Sequence, residues 1–264
     1  MPHKFRIPIT AITAFGASTL LVATVGIVLY LGFNQAVNST RQLLADQAGS
    51  PINAMEQSLE FQLRPIRDQS QWITKYIHEL PNLALLDETV FAALSATPQV
   101  AAIAIVTADG HSRRWLRSSR DIFDEDWSGR SEIVQWLETV KAEQGPAWRA
   151  PIWAEQPAGS ATLLHDSPLY SAAGEFIGVF AQIVPITELS GFLSSSYAET
   201  GLTPFVLYDR QFVLAHPMLI DRALTSDAHQ QHLSPIDTFD DIVLSRIWTP
   251  DEPMPFISKA LIDI

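Results

Sequence analysis

The run from Pro8 to Phe33, PITAITAFGASTLLVATVGIVLYLGF, contains no charged residue. A helix of that length rises about 39 Å at ~1.5 Å per residue, enough to cross a hydrocarbon core of about 30 Å with some tilt. Its Gly16, Ala17, Ser18 and Gly26 are tolerated there because a membrane helix satisfies its own backbone hydrogen bonds. His3, Lys4 and Arg6 precede the run and the first charge after it is Arg41, a bias that places the N-terminus in the cytoplasm. A cleaved signal peptide competes with this reading, but its apolar core spans only about 7–15 residues and ends at a small-x-small site. This run is longer, and no good A-x-A site follows it. A buried helix of a soluble core is the remaining alternative. The uncleaved anchor explains most, and it predicts a single N-terminal span of the inner membrane, with everything from Asn34 onward exported to the periplasm.

Only Lys4 and Arg6 are charged before Asn34, so the exported part carries 15 of the 17 basic residues and all 29 acidic ones, a net −14. Such a surface repels nucleic acid and anionic lipid, and no nucleic-acid partner is expected. The chain has no cysteine. That excludes disulfides, thiolate metal sites and cysteine nucleophiles. With 47% hydrophobic and 17% charged residues, the 231 residues from Asn34 are expected to fold around one large or two small cores.

Residues 34–80 read as a stalk helix. Ala45, Ala48, Ile52, Met55, Leu59, Leu63, Ile66, Ile73, Ile77 and Leu80 recur mostly at three- and four-residue steps, one apolar stripe. Gly49-Ser50-Pro51 is expected to interrupt it, Pro65 to kink it, and Pro81 to end it. The stripe also predicts a parallel homodimer through the stalk.

Residues 81–200 read as helix, strand, strand, helix, strand, strand, strand: Ala84–Leu94, Val100–Thr107, Ser112–Arg117, Ser131–Ala142, Trp148–Trp153 with Ala161–Tyr170, and Phe176–Val184. Asp109-Gly110 marks the first hairpin. Ser118–Ser128 reads as an acidic loop, and Pro185 opens a helix to about Tyr197. From Gly201 a second unit, 201–264, has two clear strands, Thr203–Tyr208 and Gln211–His216. The fold class is α+β: antiparallel sheets with flanking helices behind a membrane helix (8–33) and a short cytoplasmic N-terminus (1–7).

Trp148 to Trp153, Ala161 to Leu164, Ser167-Pro168-Leu169 and Gly174 to Phe180 resemble the double Cache sensor domain, in which a Ser/Thr-Pro-aliphatic strand end precedes a Gly-x-x-x-Gly-Val strand. Glu199 to Leu202, Phe205 to Arg210, Val213 to Pro217 and Phe239 to Trp248 resemble more narrowly the sensor region of bacterial class III adenylate/guanylate cyclases. The resemblance covers roughly residues 34–250. It implies tandem PAS-like units, the membrane-distal one at 81–200 and the proximal one truncated, with a second membrane helix and a cytoplasmic output domain expected further on. It thus implies a fragment or truncated gene product of a signalling protein, with no catalytic motif or cofactor in this chain. A chemoreceptor or histidine kinase output, or a tethered periplasmic protein without output, are the alternatives.

Several residues are candidates for holding a ligand. Arg113, Trp115 and Arg117 alternate on one strand face, and an aromatic between two guanidiniums suits a planar anion such as an organic acid. Trp148 and Trp153 are expected to wall the same cavity, or else to pack in the core. His165 and Ser167 share a face and can line it, with Asp166 on the other. Neighbours on one strand cannot converge as a Ser-His-Asp triad. Amino-acid-sensing members of the superfamily carry an Arg-Trp-Tyr element and a late aspartate. Arg113-Arg114-Trp115-Leu116 resembles the first but lies on the strand itself and lacks the tyrosine, and the aspartate position is Ile183, so an α-amino group lacks its counter-charge, which counts against an amino-acid ligand. No metal site is expected: Asp124 to Gly129 begins like a calcium loop but has Gln135 at the position of the bidentate glutamate, and His229 and His232 lack a third ligand.

Overall fold

The computed structural model describes residues 9–77, 83–154, 159–220 and 233–247. The Lys4–Arg6 flank, the stalk end at Leu80 and Pro81, the His229–His232 pair and everything from Trp248 lie outside them. Residues up to Glu56 and those from Gln57 to Pro253 belong to two compact units.

Helix α1 runs from Ile9 to Ile77. In the first unit its Ser18–Leu43 stretch, 26 residues of mean hydropathy 1.8, is long and apolar enough to cross a membrane. In the second unit Leu59, Leu63, Ile66 and Ile73 of the predicted stripe are buried, as is Ser70. The interruption expected at Gly49-Ser50-Pro51 and the kink expected at Pro65 do not break the helix assignment. A helical proline costs about 3 kcal/mol, whereas each buried aliphatic side chain contributes about 1.5–3 kcal/mol, and four of them flank Pro65. Leu59, Leu63, Ile66 and Ile73 are thus core residues of this unit and not a face left for a partner. The face left exposed carries Phe61, Trp72 and Tyr76, the last two stacked at 4.4 Å.

The second unit is built on a six-stranded antiparallel sheet in the order β3-β2-β1-β6-β5-β4. Its strands are β1 (Ala102–Thr107), β2 (His111–Leu116), β3 (Ile122–Asp126), β4 (Ala147–Ala154), β5 (Ser160–Tyr170) and β6 (Phe176–Pro185), with helices α2 (Leu83–Ala96), α3 (Ser131–Glu143) and α4 (Ile186–Tyr197). The β1–β2 hairpin turns on Gly110 at φ +90°, where a side chain would collide with the Ser128 backbone. Gly178 lies so close to the Val106 carbonyl that only glycine fits beside β1.

Strand β3 corrects the acidic loop expected there. Its Asp124 and Glu125 pair in register with Arg113 and Ser112 of β2, and on this edge strand the two carboxylates meet Arg113 and Arg114, which is why the segment does not read as apolar alternation. At the other edge, the β4–β5 register shifts between Arg149 and Ile152, accommodating Pro151, which cannot donate to the ladder.

Helices α1 and α2 cover one face of the sheet. Helix α3 covers the other, where Leu137 and Val140 pack with Val106 and Val179. Helix α4 then leads to a small sheet, β7 (Val206–Tyr208), β8 (Phe212–Ala215) and β9 (Ser234–Pro235). Ser190 of α4 donates to the Ile186 carbonyl and accepts from the His216 amide at 3.2 Å, tying α4 to that sheet.

Candidate functional site

The strand register places most of the candidate residues on the face beneath α1 and α2. Trp115 pairs with Ile103, Ile103 with Gln182, Gln182 with His165 and His165 with Trp148, one continuous row across five strands. Arg113 and Ser167 lie in the next row, joined through Ile105 and Phe180. Trp115 and Trp148 thus share a face but stand at opposite ends of the row, with β1, β6 and β5 between their strands.

At the β2 end, Arg113 and Trp115 grip a carboxylate. Arg113 donates from Nε (3.1 Å) and Nη2 (2.9 Å) to the two oxygens of Asp87 on α2. Trp115 Nε1 donates to the same carboxylate at 2.9 Å. Arg113 Nη1 also reaches both oxygens of Asp124, at 3.0 and 2.8 Å. The Asp87 bonds, opposed by burial and joined by Asp124, raise the Arg113 pKa above its ordinary value. Trp115 is fully buried, and an indole buried there needs an acceptor. Beside this grip opens a cleft of about 590 Å³. Leu86, Ile105, Leu169 and Ile177 give it an apolar wall, and Arg113, Trp115, Asp124 and Asp126 a polar one.

Arg117 sits elsewhere. Its guanidinium pairs with Glu188 of α4 at 3.1 Å, beside a second cleft of about 450 Å³ lined by Gln62, Gln99, Glu188 and Phe192. Trp153 pairs with Ala161 near the far end of edge strand β4.

At the β5 end the candidates are part of a buried polar seam under α1. The Ser167 hydroxyl meets Ser70 of α1, and Gln182 donates to Gln69 Oε1 at 2.9 Å. Gln69 in turn donates to the Ala93 carbonyl at 2.7 Å and to the Thr97 hydroxyl, tying α1 to α2. His165 is buried, packs edge-on against Trp148 at 4.9 Å between ring centres, and its Nδ1 has no hydrogen-bond partner among the described residues. Burial pushes its pKa down to about 4; the Gln182 side chain opposes the shift and Arg67 of α1 adds to it. The imidazole is therefore neutral near pH 7.

Two acidic residues were missed as partners. Asp87 lies three and seven residues before Val90 and Leu94, on the buried stripe of α2, and an acid on an apolar stripe is the signal that marks it. Asp166, fully buried on the α3 face, accepts from Arg149 Nε at 2.5 Å, Arg149 Nη2 at 2.9 Å and Trp136 Nε1 at 2.7 Å. Arg149 also meets Glu143, and these bonds, Asp166 first, raise its pKa. This cluster is internally satisfied and ties α3 to edge strand β4.

No family model matches the chain, and no curated protein matches it significantly. Solved structures do. The ligand-binding domain of the Campylobacter jejuni chemoreceptor Tlp3 in complex with L-valine superposes with a TM-score of 0.56 at 11% identity, covering 72% of this chain and 78% of that one. The isoleucine-bound form gives 0.54 at 12% identity, covering 70% and 76%. The ligand-binding domain of the Pseudomonas aeruginosa PAO1 amino-acid chemoreceptor PctC, in complex with GABA, gives 0.50 at 18%, covering 66% and 75%. An apolar N-terminal helix, a long helix and antiparallel sheets with flanking helices make this an α+β chain with the fold of chemoreceptor sensory domains.

Proposed function

We propose that this chain is the extracytoplasmic small-molecule sensor of a membrane-bound signalling protein, anchored in the inner membrane by its N-terminal helix. Its ligand carries a carboxylate, which Arg113 and Trp115 hold. The observation that carries this reading is their grip on Asp87: a bidentate guanidinium and an indole N–H converge on one carboxylate at the mouth of an apolar-walled cleft. The acids on β3, Asp124 and Asp126, favour a ligand that also bears a positive group. An amino-acid-like zwitterion meets both demands, and the fold neighbours were solved with isoleucine, valine and GABA. The counter-charge absent at Ile183 is supplied in this reading from β3. Arg117 and Ser167 act around the site, tying the sheet to Glu188 of α4 and Ser70 of α1, and Trp148, Trp153 and His165 lie apart from it on β4 and β5.

The output is a class III nucleotide cyclase by sequence resemblance; the chemoreceptor neighbours support a chemoreceptor output equally well. The working unit is a parallel homodimer, paired through the exposed Phe61–Trp72–Tyr76 face of α1.

A thermal-shift screen of α-amino acids, dicarboxylic acids and simple amines tests the reading. Carboxylated compounds should stabilise the protein by mass action, about 2.7 kcal/mol at a hundredfold excess over Kd. Arg113→Ala should abolish the effect. Stabilisation by amines alone, or an unchanged response in Arg113→Ala, would overturn it.

A further inference from the structure

We infer that Asp87 is a built-in occupant of the carboxylate site, so that a ligand carboxylate binds Arg113 and Trp115 only by displacing Asp87 and freeing the start of α2 from the sheet. The inference rests on the site reading above and adds how that site is regulated.

Asp87 is held as a free carboxylate would be. Both its oxygens are engaged by the guanidinium, and one also accepts from the indole. Stability alone does not call for an acid here, because a partly buried ion pair is often replaceable by well-packed apolar residues without loss. The grip is also accessible: Arg113 is 25% and Asp87 22% exposed, and Arg113, Trp115 and Leu86 all line the open cleft. A soluble carboxylate can therefore approach the guanidinium from the cleft while Asp87 holds it from α2, and it reaches the buried Trp115 N–H only once Asp87 has moved.

Two carboxylates cannot share these donors. A side chain tethered on α2 competes at a high effective concentration, and a ligand's apparent affinity falls by the fraction of time the site stands vacant. Displacing Asp87 leaves Arg113 paired with Asp124, so the guanidinium stays charged and placed. It also unfastens α2 from β2. Helix α2 is bonded to α1 through Gln69, which reaches both Ala93 and Thr97, so exchange at the site changes what α1 packs against. The device makes the sensor's resting state self-occupied and ties ligand entry to movement of α2.

Thermal unfolding of the full chain in detergent, with sodium acetate as the probe and sodium chloride at equal ionic strength as the control, tests this. Asp87→Ala should unfold at a lower temperature than wild type and be restored saturably by acetate, with an apparent affinity at least tenfold tighter than wild type shows. The double variant Asp87→Ala/Arg113→Ala should not respond to acetate. Should Asp87→Ala fail to fold, Asp87→Asn, which keeps the size and one acceptor but loses the charge, serves for the same comparison. Equal acetate responses in wild type and the Asp87 variant, both lost with Arg113, would sink the built-in occupant and leave the site standing. Acetate effects that survive the loss of Arg113, or no acetate effect in any variant, would defeat the site reading as well.

Discussion

Gln182 on strand β6 donates to Gln69 on α1 at 2.9 Å, joining a fully buried amide of the sheet to a half-buried one of the helix. Gln69 passes the contact on to α2. A shift of the sheet is thus felt by two helices through one side chain, and the longer of them also contains the candidate membrane span. A hydrogen bond made by a buried amide is costly to break.

Truncating one amide of this pair strands the other. Gln69→Leu and Gln182→Leu should each destabilise the protein by about 1–3 kcal/mol, and the double variant by clearly less than the sum. Denaturant unfolding of the four proteins measures the coupling. Strict additivity would mean the two side chains do not act together.

Acid should weaken the fold through His165. Its folded pKa, about 4, lies below the ordinary value of 6.5, so the fold favours the neutral ring. That contribution is fully present above about pH 6.5 and is lost as pH falls towards 4, in all about 3 kcal/mol. Arg67 is the charged neighbour facing the ring from α1, and Gln182 faces it from β6. His165→Gln should be less stable at pH 7 but flatter between pH 6.5 and 4 than wild type. Carboxylates common to both proteins cancel in the difference. Parallel pH profiles would remove His165 as the cause.

Much of this architecture is legible in the sequence. The stripe Leu59, Leu63, Ile66, Ile73 marks α1 because periodicity survives whatever the helix packs on. The apolar runs of β1 and β6 mark themselves as central strands. Strand β3 was not legible, since its Ile-Phe-Asp-Glu-Asp pattern is explained by cross-strand charge pairing with Arg113 and not by burial. The alternation of Arg113 and Trp115 pointed to a carboxylate, yet the acid that meets them, Asp87, is 26 residues before Arg113 on another element. Local spacing cannot reveal a partner that only the chain's fold brings near. Nor could it reveal that Trp115 and Trp148 share a face with three strands between them.

The stalk face makes a prediction of its own. Leu59 is 2% exposed and Phe61 77%. Leu59→Asp should therefore unfold the sensor unit, whereas Phe61→Glu combined with Trp72→Glu should leave it folded and shift dimer towards monomer. Analytical ultracentrifugation of the full chain in detergent, with circular dichroism as the folding control, reads both. Association unchanged in the Phe61/Trp72 variant would place the dimer contact elsewhere.

The central claim is that Arg113 and Trp115 form a carboxylate receptor, and Trp115→Phe tests it most directly. Phenylalanine keeps an aromatic ring at this buried position, loses the indole N–H that bonds Asp87 at 2.9 Å, and leaves a small void that the fold control must check. The measurement is calorimetric titration of wild type and Trp115→Phe with the strongest carboxylated compound from the screen. The account predicts roughly tenfold weaker binding, since one hydrogen bond to a charged group is worth about 1.5–3 kcal/mol and part of it is recovered from Asp87 losing the same donor. Equal affinity in the two proteins, with the fold intact, would contradict it.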